Sequence, residues 1–179
     1  MPTMPTMRTT PGMSRQSRLS RLLRTLLALA LCVVGAIIVV TLRARGWTVL
    51  PDLVLLPVVA VALSRGWLAG ALLGLAAGWV VDLVPPGSDP LGLTPLLYAL
   101  AGALAGRGSR VGPVPVRWIA IVTLGAALVP VAGRALQSAW LGRQPDVAPT
   151  LLGLLATVIA AVLIVPPLVR IDRGSEPTW

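Results

Sequence analysis

The chain has 179 residues and a formal net charge of +9, yet 56% of it is hydrophobic and only 12% charged. A mean hydropathy of +0.87 leaves too little polar surface to cover a water-soluble globule, and it excludes a disordered or low-complexity chain as well. All 15 basic residues are arginine, set singly or in small groups between apolar runs, which fits membrane flanks and argues against a nucleic-acid surface.

Histidine is absent and Cys32 is the lone cysteine, so an internal disulfide is impossible and a zinc or haem site has almost no ligands. No cofactor is expected. Cys32 is preceded by Leu31 where a lipoprotein signal needs a small residue, and the apolar stretch 25–42 is long enough to remain as an uncleaved first span.

In chain order, residues 1–24 form a basic arm rich in Thr, Pro, Ser and Met, carrying Arg8, Arg15, Arg18, Arg21 and Arg24. The threefold recurrence of Arg15, Arg18 and Arg21 beside Leu19, Leu22 and Leu23 suits a basic helix on anionic headgroups, or simple flanking charge. Five more apolar stretches follow the first, near 49–64, 67–84, 91–106, 116–134 and 149–169, and residues 170–179 form a short tail. The predicted architecture is therefore all-α, a bundle of six transmembrane helices over 25–169. The second span is the weakest, bracketed by Asp52 and Arg65 and lengthened only by Trp47 and Trp67 as interface anchors; a re-entrant hairpin with the third is the alternative.

Arginine asymmetry sets the orientation. With the amino terminus inside, eleven arginines fall on the cytoplasmic side and four outside, namely Arg43, Arg45, Arg134 and Arg143, so both termini are expected in the cytoplasm. Asp52, Asp82, Asp89 and Asp146 then lie outside. Asp89 before Pro90, and Asp52 after Pro51, read as helix openings.

The sharpest pattern lies in the third span, where Gly66, Gly70, Gly74 and Gly78 recur every four residues and Asp82 takes the next place. Such a row lets another helix approach closely, whether a partner's or one of this chain's own. Gly102 and Gly106, with Ala99 and Ala103, give the fourth span a matching narrow face, so the third against the fourth is the simplest internal pairing. Asp82 is costly in a membrane helix and needs a partner; the topology puts Arg134 near the same outer boundary and suggests an ion pair. The proline-rich loop 84–90, with Asp89, Leu91 and Gly92 at its end, is a stiff candidate for outer contacts. Tyr98, the sole tyrosine, reads as a ligand-binding or hydrogen-bonded packing residue in mid-span.

Pro51-Asp52-Leu53-Val54-Leu55-Leu56, the glycine-rich span ending in Gly78-Trp79-Val80-Val81-Asp82, then Leu91-Gly92-Leu93 and the Gly102 to Gly106 face together resemble the rod shape-determining protein MreD family. The resemblance implies a non-enzymatic subunit of the bacterial cell-elongation machinery in the plasma membrane. Its implied partners are the bitopic protein MreC and, through it, the peptidoglycan synthases of the lateral wall and the MreB filament. That family is in turn similar to the membrane S-components that capture vitamins for energy-coupling-factor transporters. A transporter subunit of that kind is the alternative, set back by the small supply of intramembrane polar groups: Tyr98, Thr94, Asp82 and Gln137 are nearly all of it. An enzyme is third, since no acid–base pair or nucleophile stands out.

Overall fold

The computed structural model describes residues 13–84, 92–110, 112, 114–142 and 147–173, with side chains described from residue 19 onward except those of Arg21 and Arg173. Among these residues the chain is all-helical: α1 (Met13–Ala44), α2 (Leu55–Arg65), α3 (Trp67–Leu83), α4 (Leu93–Arg107), α5 (Val116–Trp140) and α6 (Val147–Arg173). The arm and the first span are thus continuous in helix from Met13, while the loop residues Asp89 and Leu91 lie outside the described residues.

Among the described residues, three helices are long and apolar enough to cross a membrane: Leu22–Ala44 in α1, Val116–Trp140 and Val147–Asp172. At 1.5 Å per residue each reaches about 35 Å or more, against a hydrocarbon core of about 30 Å. Their outward faces carry exposed leucine, isoleucine and valine, among them Leu26, Ile37, Leu128, Leu155 and Leu163. In water such surface would drive association, whereas in lipid it is the expected covering of a membrane protein.

The second span differs most from its sequence outline. It splits into a non-helical segment, 45–54, and a helix of 11 residues, about 16 Å long, which covers only half a bilayer core. Every residue from Leu55 to Leu63 is buried, and α2 packs against every other helix. An all-round apolar helix suits either a protein core or lipid, and one too short to cross the bilayer is held here by its neighbours. One residue, Gly66, joins α2 to α3, and its φ of +91° favours glycine.

α3 and α4 form the closest helix pair. Their glycines meet in antiparallel register: Gly70 lies on Gly102, Gly74 on Tyr98, Gly78 on Pro95, and Gly106 on Trp67. A Cβ at any of these glycines would lie inside van der Waals contact with the facing backbone. Gly70, Gly74, Gly78, Gly102 and Gly106 are therefore occupied inside the molecule. α2 rests on the same junction, with Ala62 against Gly70 and Val58 against Gly102.

At the other termini of these helices, Arg65 ties α2 to α1 and α6. Its Nε donates to both carboxylate oxygens of Asp172 (2.9 and 3.1 Å), its Nη1 donates to Thr25 Oγ1 (2.7 Å), and its Nη2 completes the ion pair with Asp172. Ser64 also donates to the Asp172 carboxylate, and Arg24 donates to the Asp172 carbonyl. The bidentate geometry in a largely buried setting sets this clamp apart from a surface ion pair.

Two predictions follow from the packing. Gly74→Leu forces the α3 and α4 backbones apart and is expected to lower stability in detergent by about 3 kcal/mol, read from a denaturant titration. Gly125→Ala, where a Cβ meets nothing within 4 Å, is expected to be neutral or stabilising by up to about 1 kcal/mol. In a double-mutant cycle, Arg65→Gln and Asp172→Asn are expected to show a coupling of about 1–3 kcal/mol, and additivity would remove the clamp from the account.

Candidate functional site

Opposite the clamp, the non-helical segment 45–54 enters the bundle between α1 and α6. Leu53 approaches Gly35 of α1, the Leu50 carbonyl approaches Gly153 of α6, and the Asp52 amide donates to Thr157 Oγ1 at 2.8 Å. Thr157 in turn donates to the Gly153 carbonyl of its own helix (2.8 Å), so its hydroxyl is satisfied on both sides. Irregular backbone at membrane depth is tolerated where it is buried in protein or lines a cavity; residues 45–48 are exposed, 49–53 are half-buried and Val54 is buried, and Thr48, Leu50, Pro51, Asp52 and Val54 line a cavity.

Asp52 is the centre of the polar group that results. One carboxylate oxygen accepts the Leu55 amide at 3.2 Å, closing the first turn of α2 and placing negative charge at the positive end of its dipole. The other accepts the Tyr98 hydroxyl. Tyr98 is itself only 2% exposed, wedged where α4 meets Gly74. The Arg134 guanidinium faces Tyr98 and Asp52, with Asp82 a weaker, more distant attraction. The pairing suggested by topology for Asp82 and Arg134 thus opens into a wider group in which Arg134 is directed first at Tyr98 and Asp52. Asp82, 3% exposed at the end of α3, accepts the Gly92 amide at 2.9 Å and so fastens the start of α4 to the end of α3. Asp82 still attracts Arg134 while one of its oxygens accepts the Gly92 amide.

Around this group lies a cavity of about 590 Å³. Its walls are apolar, including Ala36, Val40, Val131 and Leu154, and its charged lining consists of Arg43, Asp52 and Arg134. Thr48, Ser138, Thr150 and Thr157 add hydroxyl groups. The volume lies within the range of small-molecule sites, and the mixture of apolar wall with a few placed polar groups is their usual chemistry. Among the described residues, no group of three or more histidine, cysteine, aspartate or glutamate side chains converges as a metal site would require.

Of the residues singled out from sequence, Tyr98 and Arg134 line the cavity; Asp82 and Gly92 form a joint nearby; and the glycine row holds α3 to α4. Arg43 and Thr157 were missed as lining residues, and Asp52 was read only as a helix opening. The signal was present in part, since the arginine count places Asp52, Asp82 and Arg134 at one membrane boundary.

No protein-family model, no curated protein and no solved structure matches this chain.

Tyr98→Phe removes the hydroxyl between Asp52 and Arg134 while keeping the ring. It is expected to lower stability by about 1–2 kcal/mol, and Asp52→Ala, which also removes the α2 cap, by more. Equal unfolding midpoints for wild type and both variants would show that the group contributes nothing.

Proposed function

We propose that the chain is a non-enzymatic membrane scaffold of the bacterial cell-elongation (rod) complex, of the MreD kind, that binds an MreC-like single-span partner and so supports lateral peptidoglycan synthesis. The observation that carries this reading is how the residues behind the resemblance converge. Pro51-Asp52 opens the central helix, the Gly70–Gly78 row and Asp82 bind α3 to α4, and Gly102 and Gly106 complete the same joint. They build one rigid unit, as a protein that positions neighbours requires. Arg65 and Asp172 serve that unit in the clamp, and the long helices α1, α5 and α6 turn apolar faces outward on which a partner's helix can pack.

Because the glycines are taken up internally, the partner surface in this reading lies on those outer faces. The plasma membrane, with both termini cytoplasmic, is the setting it requires, and the elongation-specific synthases and the MreB filament are reached through the MreC-like partner.

A second reading, a vitamin-capturing subunit similar to the S-component of an energy-coupling-factor transporter, is favoured by one observation, the cavity beside the non-helical segment 45–54.

Pull-down of the tagged full chain in mild detergent is expected to recover a single-span partner with a large extracytoplasmic part, and depletion in a rod-shaped host to produce rounded cells. A stoichiometric vitamin in the purified protein, with cell shape unchanged on depletion, would replace the first reading by the second.

A further inference from the structure

The bundle is tied at one end and parted at the other. At the clamp, Arg24 of α1 reaches the Asp172 carbonyl of α6 and Arg65 holds the Asp172 carboxylate. About 28 Å further along α1, close to the thickness of a hydrocarbon core, Arg43 stands in its last turn beside the cavity. Here α1 and α6 are separated by residues 48–54, and the cavity takes its lining from both helices. Trp47, 61% exposed, marks this level as the interface where indole rings settle among headgroups.

The lining of the cavity carries two guanidinium groups, Arg43 and Arg134, and one carboxylate, Asp52, which already accepts the Leu55 amide and the Tyr98 hydroxyl; Asp82, outside the lining, also attracts Arg134. The remainder of the wall is largely valine, leucine, alanine and proline. Both arginines are exposed, so an anion can reach them from outside, and guanidinium is the side chain best matched to phosphate oxygens.

We propose that this cavity binds a phosphate-bearing anion through Arg43 and Arg134, and that its natural form is the headgroup of an anionic lipid whose chains leave along the apolar faces of α1 and α6. The volume of about 590 Å³ suits a headgroup with the first part of its chains and is too small for a whole lipid. The inference goes beyond the scaffold reading and stands without it, since it depends only on the cavity and its two arginines.

The test is native mass spectrometry of the purified full chain released from micelles containing equal phosphatidylglycerol and phosphatidylcholine, repeated with millimolar glycerol 3-phosphate and with inorganic phosphate. One phosphatidylglycerol is expected to stay bound in preference to phosphatidylcholine. Arg43→Gln is expected to lower its retention about tenfold, the loss of one charge-assisted contact. Arg134→Gln should lower it as well, but because Arg134 also faces Tyr98 and Asp52, Arg43→Gln is the cleaner variant. Val131→Trp, which fills the cavity without altering charge, should abolish retention while the variant remains monodisperse. Lipid that resists the soluble phosphates identifies the headgroup as the source, and its replacement by glycerol 3-phosphate identifies a free phosphate compound on the same arginines. Equal retention of the two lipids, retention unchanged in both Arg43→Gln and Val131→Trp, or a bound molecule without phosphate would overturn the proposal.

Discussion

The rest of the molecule depends on how closely the α3 and α4 backbones approach. Association inside lipid gains little from hydrophobicity, so it relies on contact at short range, and four-residue glycine spacing on α3 meeting glycines, Pro95 and Tyr98 on α4 supplies that contact. The joint leaves a shallow surface on which α2 can lie, with Ala62 and Val58 against the glycines. Burying α2 centrally removes the need for it to span the membrane alone. Its short length then leaves residues 45–54 to enter the bundle without helical hydrogen bonds, and Thr157 and the cavity make that possible.

Charge is placed with the same economy. Ionisable groups within a membrane protein are expensive unless paired or directed to an interior or an interface. At one end, Asp172 collects Arg65, Ser64 and Arg24, locking three helices together. At the other, Asp52 collects an amide and a phenol, and Arg134 stands beside them. The first arrangement closes the bundle; the second keeps it parted. That asymmetry gives one bundle a fastened end and a parted end that holds the cavity.

Much of this was legible along the chain. Composition and hydropathy identified a helical chain suited to a membrane, and the boundaries of α3, α4 and α6 lie close to the apolar stretches read from sequence, because each run ends at proline, glycine or charge; α5 starts where expected but continues past Arg134 to Trp140. The glycine spacing pointed to α4 as the partner of α3, since two narrow faces can approach where bulky ones cannot. The second span was not legible as a helix and a break: residues 49–64 are nearly uniformly apolar, and hydropathy cannot distinguish a helix from an extended segment shielded by its neighbours.

What the sequence determined by itself is local or one-dimensional: the solvent class, the helical periods, the narrow faces and the arginine bias between boundaries. Only the tertiary structure decided which charges meet. Asp52, Tyr98 and Arg134 come from three separate elements, and Arg65 and Asp172 lie 107 residues apart. Sequence gives such groups a depth in the membrane but no rotation about their helix axes. For α4 that rotation is set by the glycine contacts with α3, which place Tyr98 against Asp52, while the packing of α1 and α5 brings Arg43 and Arg134 to one cavity.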